Sequence, residues 1–250
     1  MLMILLSPSK TMRWDHPYPP ETAPALLSRA EALAALLRDD DAAALARWMR
    51  LSPALAAAAH ADLRAWTPTG RGAALFAYAG EAFRALDAPT LPPAALARAQ
   101  RRLRVLSGLY GVLRPLDAVC PYRLEAASRP PRLGAGGVCG YWREHVTRAL
   151  NDDIAREGAT LVLNLASQEY AALLDPAALH APLLAPALYA RDASGARRVV
   201  SVYAKRARGL LARHALLSGA ETREGLEGFC LDGYRLVEGP GLAFELSRGS

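Results

Sequence analysis

Lysine is nearly missing from this chain: Lys10 and Lys205 stand alone, and the other 28 of its 30 basic residues are arginine. In a chain also crowded with alanine, this reads as a composition pressure that replaced lysine wherever arginine would serve. The two survivors therefore call for a chemical reason. Cysteine is equally scarce. Cys120, Cys139 and Cys230 lie far apart with no CxxC pair, which argues against a disulfide framework or zinc ribbon and fits a reducing compartment. The histidines, His16, His60, His145, His180 and His214, show no His-x-x-x-His or carboxylate-paired spacing, so a dedicated metal site is not supported; no cofactor is expected. No apolar run approaches the length of a membrane span; the longest uncharged candidate, residues 176–190, is interrupted by Pro176, Pro182 and Pro186. Residues 1–6 are apolar but too short for a signal-peptide core and lack a basic flank. The expectation is a cytoplasmic protein with no membrane partner.

What is present is a globular composition: 250 residues, 52% hydrophobic, net charge +6 and a sequence pI near 9.5. That length supports a sizeable core in one large or two smaller domains. The modest net charge hides a segregation. Residues 98–132 hold eight basic side chains against Asp117 and Glu125, and residues 197–213 hold six with no acid. These two stretches carry +12 and the remainder carries −6. If they meet in the fold, that surface suits a polyanion such as nucleic acid, or a phosphorylated small molecule.

Local patterns give the organisation. Residues 2–6 form a continuous apolar run ended by Ser7-Pro8, which predicts a buried first strand entering a loop. A proline-rich connector at 17–24 precedes alanine- and leucine-rich helical spacing over 25–37, 42–49 and 53–66, with residues 39–41 and Ser52 placed as helix starts. Residues 74–78 fit strand or helix; 80–86 and 92–102 read as helices, and 103–106 as a strand. Residues 106–124 are rich in turn residues and aromatics without a clear period. A helix over 141–156, a buried strand over 160–165 and a helical turn over 167–174 follow. Residues 183–189 and 197–203 read as a hairpin around the loop 191–195. A helix then runs over 205–217, and two late strands, 234–237 and 242–246, flank Gly239-Pro240-Gly241. With no internal repeat and no low-complexity linker, the expectation is a single mixed α/β domain over residues 1–250, a central sheet surrounded by helices.

Five segments carry the strongest signal: Leu5-Leu6-Ser7-Pro8-Ser9-Lys10-Thr11, the run from Leu106 through Gly108-Leu109-Tyr110-Gly111 to Arg114-Pro115-Leu116-Asp117, Pro121-Tyr122-Arg123-Leu124-Glu125, Asn164-Leu165-Ala166-Ser167-Gln168-Glu169-Tyr170, and Tyr203-Ala204-Lys205-Arg206-Ala207-Arg208-Gly209. Together, and in this order over residues 1 to about 234, they closely resemble the bacterial YaaA family of peroxide stress proteins. The resemblance implies a cytoplasmic protein that limits peroxide damage by keeping unincorporated iron low. It also implies DNA binding through a positively charged cleft on an unusual mixed α/β fold; it supplies no settled reaction. One departure is Gly80-Glu81-Ala82-Phe83, where Phe83 lacks a phenolic hydroxyl, so no tyrosine-mediated contact is carried over to it.

The same residues make sense chemically. Ser7, Ser9, Lys10 and Thr11 follow the first strand, and carboxyl ends of strands in α/β proteins are where ligands usually sit. An ammonium among three hydroxyls suits a phosphate; an ordinary loop lysine is the bland alternative. Ser7-x-x-Lys10 also matches the serine-nucleophile pattern of penicillin-binding proteins, but the companion motifs are missing. Lys205, Arg206 and Arg208 are expected where a strand gives way to a helix. Cations there oppose the helix dipole unless an anion joins them, or else they are solvated surface charge. Lys205 could alternatively serve as a Schiff-base or general-base lysine. Gly108, Tyr110 and Gly111 form an apolar turn that resembles a helix-hairpin-helix DNA-binding hairpin, whose glycines would let backbone amides approach phosphate. Arg114 and Arg123, beside Pro115 and Tyr122, suit bidentate anion binding, or an ion pair with Asp117 or Glu125 that staples the loop. Asn164, Glu169 and Tyr170 are polar pocket candidates, with Ser167 read as a helix cap. Gly134-Ala135-Gly136-Gly137 lacks the lysine and hydroxyl of a P-loop and reads as a loop.

Two functions follow as expectations. The first is a protein that binds double-stranded DNA by neutralising phosphates during oxidative stress. The second is an enzyme acting on a nucleotide or other phosphorylated molecule through Lys10 and Lys205. The second requires both lysines to converge on one enclosed pocket.

Overall fold

A computed structural model describes residues 1–191, 197–198, 200–230, 233–237 and 242–246. In chain order, β1 (Leu2–Leu6) precedes three helices, α1 (Leu27–Arg38), α2 (Ala42–Met49) and α3 (Pro53–Ala65). Then come β2 (Gly72–Ala73), α4 (Ala74–Ala77), α5 (Glu81–Leu86), α6 (Pro93–Arg102), β3 (Leu103–Ser107), β4 (Gly111–Leu113) and β5 (Ala118–Val119). The long helix α7 (Gly137–Glu157) leads into β6 (Leu161–Leu165), α8 (Gln168–Ala171), β7 (Leu183–Leu184), β8 (Ala187–Arg191) and β9 (Arg197–Arg198). Helices α9 (Ser201–Ser218) and α10 (Glu224–Glu227) are followed by β10 (Tyr234–Leu236) and β11 (Ala243–Leu246).

The architecture is mixed α/β. Its central five-stranded sheet has the order β4-β3-β1-β6-β7. β1 lies in the middle, parallel to both β3 and β6, and all five of its residues are buried. This is what a short uninterrupted apolar run requires when both faces of a strand are covered. A second sheet, β10-β11-β8-β9, pairs β8 in parallel with β11 and antiparallel with β9. The turn residues 192–195 of the expected hairpin, and Gly239-Pro240-Gly241 between the late strands, lie outside the described residues.

Local chemistry explains the helix starts. Asp41 accepts a hydrogen bond from the Ala44 N–H at 2.7 Å, and Ser52 accepts one from Leu55 with Pro53 in the first helical position, both standard ways of satisfying orphan amides. α9 differs from expectation, because it begins at Ser201 rather than at Lys205. The β-branched residues 199, 200 and 202 suggest strand locally, yet α9 packs along α5, and that packing decides. Gly209 permits it: a Cβ there would lie 1.9 Å from the Ala82 carbonyl oxygen. Beneath the sheet, the buried Arg104 guanidinium pairs with Asp153 and donates to the Leu103 carbonyl at 2.7 Å.

Candidate functional site

The carboxyl ends of β1 and β6 lie side by side, and their following loops are clipped together. The Ser167 N–H donates to Ser7 Oγ at 2.8 Å, and Ser7 Oγ donates to Ser167 Oγ at 3.3 Å. Ser167 Oγ also accepts from the Tyr170 N–H and so caps α8, as the sequence suggests. Between these loops, α5 and α9 is a cavity of about 940 Å³. Two glycines let its walls close. Ser9 Oγ occupies a point 2.5 Å from where a Cβ on Gly80 would stand, and Gly209 brings α9 onto α5.

The cavity brings together Ser7, Ser9, Lys10, Thr11, Lys205 and Arg208 from the expected residues, with Glu169 and Tyr170 from the pocket candidates. Thus the two lysines, far apart in sequence, line one space. Ser9 Oγ accepts the Thr11 N–H at 3.1 Å and so shapes the loop that carries Lys10. Lys10 Nζ is 2.6 Å from Glu125 Oε1. Neither Lys205 nor Arg208 has a hydrogen-bond or ion-pair partner among the described residues. Arg208 is half-buried, and burial pulls its guanidinium pKa below the usual arginine range. A charge desolvated without a partner is costly unless a ligand compensates it. Glu169 accepts the Ala127 N–H at 3.2 Å. Tyr170 is held as a neutral phenol: burial, then the neighbouring Tyr122, Glu169 and Glu125, pushes its pKa well up.

Sequence reasoning missed Glu81 and Arg84, an ion pair on α5, and Gln168 at the start of α8, all in the wall. The available signal was the Gly80 step before a short helix. With these included, four cations and two carboxylates line the cavity.

Other expected residues sit elsewhere. Arg206 does not line the cavity, because only residues 201, 204, 205 and 208 share the facing side of α9. Asn164 accepts the Ala166 N–H at 3.0 Å and shapes its own loop. The turn resembling a helix-hairpin-helix is a β-hairpin instead: Ser107 pairs with Gly111 across β3 and β4. Its glycines serve close packing, since a Cβ on Gly108 would stand 2.2 Å from the Leu124 carbonyl and one on Gly111 2.7 Å from the Trp142 ring. Tyr110 is buried, accepting from Trp66 Nε1 at 2.7 Å and from the Cys120 N–H at 2.9 Å. Tyr122 shares its hydroxyl with Tyr78 and Ser107, each at 2.8 Å. Arg114 staples its loop to Asp117 at 3.2 Å and donates to the Ala23 carbonyl at 2.9 Å. Arg123 is half-buried, with its Nε unbonded, and lies outside the cavity wall.

Among the described residues, no helix is long and apolar enough to cross a membrane. Comparison with known proteins supplies the identity. The sequence model of the family described as peroxide stress protein YaaA matches residues 2–239. The chain is 38% identical over 239 residues to a UPF0246 protein of Janthinobacterium sp. (strain Marseille), covering 93% of this chain and 92% of that one. It is 40% identical over 246 residues to a UPF0246 protein of Aromatoleum aromaticum, covering 93% of each. A UPF0246 protein of Shewanella pealeana is 37% identical over 243 residues, covering 95% of this chain and 94% of that one. With nearly the whole length matched, the chain belongs to the YaaA family of peroxide stress proteins.

Proposed function

We propose that this chain acts in the cytoplasm as a DNA-binding protein of the peroxide stress response, holding phosphates in and around the β1 cavity rather than reading bases. The observation that carries the reading is the convergence of Lys10, Lys205 and Arg208 on one cavity, with the last two unpaired among the described residues. Unpaired cations beside serine and threonine hydroxyls are chemically suited to phosphate oxygens. Protection of DNA is also a sensible task in this family, because Fe(II) and peroxide generate damage at DNA. Titration of duplex DNA at several salt concentrations tests it. Log K should fall steeply with log salt, and Lys205→Ala or Arg208→Ala should weaken all sequences alike and flatten the slope by about one unit each. Salt-insensitive binding, or normal binding by both variants, defeats the proposal.

A second reading is favoured by enclosure and by the same convergence of Lys10 and Lys205, which it requires. A cavity of about 940 Å³ is of small-molecule size, and Glu169 and Tyr170 in its wall exceed what phosphate neutralisation needs. The reading is an enzyme acting on a nucleotide or another phosphorylated molecule, with Lys10 and Lys205 at the phosphate. Nucleotide-dependent thermal stabilisation that is lost in Lys10→Ala would favour it over duplex binding.

A further inference from the structure

A second groove, of about 1000 Å³, runs along α7 on the far side of Glu169 from the β1 cavity. Cys139, Arg143, Thr147 and Asn151 recur along its floor every four residues, so one face of α7 forms it. Its charges are unevenly distributed. At one end are Arg129 and Arg143, whose guanidinium groups have no hydrogen-bond or ion-pair partner among the described residues, with the Glu169 carboxylate near them and held by the Ala127 N–H, so that two cations stand against one anion there. Beyond them are Asp175, whose N–H bonds Thr147 Oγ1 at 2.9 Å and whose carboxylate takes only the Ala177 N–H at 3.0 Å, and, further along α7, Asp152, likewise unpartnered among the described residues. Between them, the lip pair Arg148 and Glu144 is mutually neutral at 2.6 Å. Asn151 and Thr147 are committed to the backbone around residues 175–180. Apart from Glu169 and His180, the remaining walls are largely alanine and glycine and leave room for side chains.

We infer that this groove binds a short zwitterionic peptide, its carboxylate on Arg129 and Arg143 and its ammonium on Asp152 and Asp175. Length supports the assignment. Arg143 and Asp152 are nine residues apart in one helix, roughly 13 Å along its axis. An extended chain covers about 3.3–3.6 Å per residue, so about three or four residues bridge the two ends. A phosphate-bearing ligand would meet compensation at one end only.

Tetra-alanine with free termini, its N-acetylated form and its C-amidated form, titrated calorimetrically into the full chain at low salt, provide the test. The free peptide should bind, and either block should weaken it roughly five-fold, as expected for an exposed charge contact. Arg143→Ala should reproduce the amidation effect and add nothing for the amidated peptide; Asp152→Asn should do the same for acetylation. No binding at millimolar peptide, equal binding of free and blocked forms, or variants that weaken all forms alike would overturn the inference. So would loss of peptide binding in Lys205→Ala, which would put the peptide in the β1 cavity.

Discussion

The loop after β1 and the segment after β3 are made of similar material, hydroxyls, basic side chains and turn residues at a strand end, yet they use it in opposite ways. After β1, the hydroxyls of residues 7–11 border a cavity, and Lys10 has one partially exposed carboxylate as its partner. After β3, polar capacity is largely consumed internally, Arg123 Nε being the exception. Tyr110 bridges Trp66 and the Cys120 amide, Tyr122 joins Tyr78 and Ser107, and Arg114 is tied to Asp117 and the Ala23 carbonyl. The difference shows that residue type at a strand end does not identify a ligand site; unspent bonding capacity does. Saturated polar groups hold a core together, whereas unsatisfied cations await an anion.

The sharpest way to break this contrast is Asp117→Ala. Asp117 is 1% exposed and accepts from Thr22 Oγ1 at 2.6 Å and the Arg114 N–H at 2.7 Å, besides the Arg114 side chain. Removing it strands three donors, so denaturant unfolding should show a loss of about 3 kcal/mol. Phosphate binding per folded molecule should not change. If binding falls while stability holds, the segment after β3 belongs to the ligand site after all.

A smaller effect is expected from Tyr122→Phe, which removes one hydroxyl from the buried network and leaves Tyr78 and Ser107 one partner short. The loss should be about 1–2 kcal/mol. The same residue gives the network a pH signature. Burial pushes the Tyr122 phenol up from 10.0 to about 12, against the opposing hydrogen bonds from Ser107 and Tyr78. Its folded value lies above its unfolded one, so its stabilising contribution is complete below pH 10 and disappears as pH rises through about 12. Unfolding free energies measured across that window should decline less steeply in Tyr122→Phe than in the parent chain. Equal slopes would mean that Tyr122 does not carry the alkaline loss.

The regular parts of the fold were legible because burial leaves a local trace. The apolar run of residues 2–6 announces a strand covered on both faces, the β-branched and leucine run at 160–165 announces β6, which is buried at three of its five residues, and the spacing over 141–156 announces α7, which extends to Gly137–Glu157. The start of α9 was not legible, because the valines at 199, 200 and 202 favour strand locally, whereas the helix that begins at Ser201 is set by packing along α5. The cavity was half legible. The rarity of lysine marked Lys10 and Lys205, but the Gly80 step before a short helix was too weak a local signal to say that α5 would add Glu81 and Arg84. The hairpin at residues 108–111 misled for a physical reason: a glycine that admits a phosphate and one that admits a neighbouring carbonyl look alike until the neighbour is seen.

The smallest expected change tests the open side of the contrast. Lys10 and Glu125 form a partly exposed pair, with side-chain exposures of 58% and 29%. Such a contact contributes about 0–1 kcal/mol, so Glu125→Gln should leave the unfolding free energy nearly unchanged. Its effect on binding should be visible and of opposite sign to that of Lys205→Ala. With its internal counter-ion removed, Lys10 no longer has to be drawn from a carboxylate before it meets a phosphate. DNA affinity should therefore rise by a few-fold at low salt, and the gain should shrink as salt screens the competing pair. A fall in affinity would mean that Glu125 positions Lys10 for the ligand rather than competing with it, and that the loop after β1 is as internally committed as the one after β3.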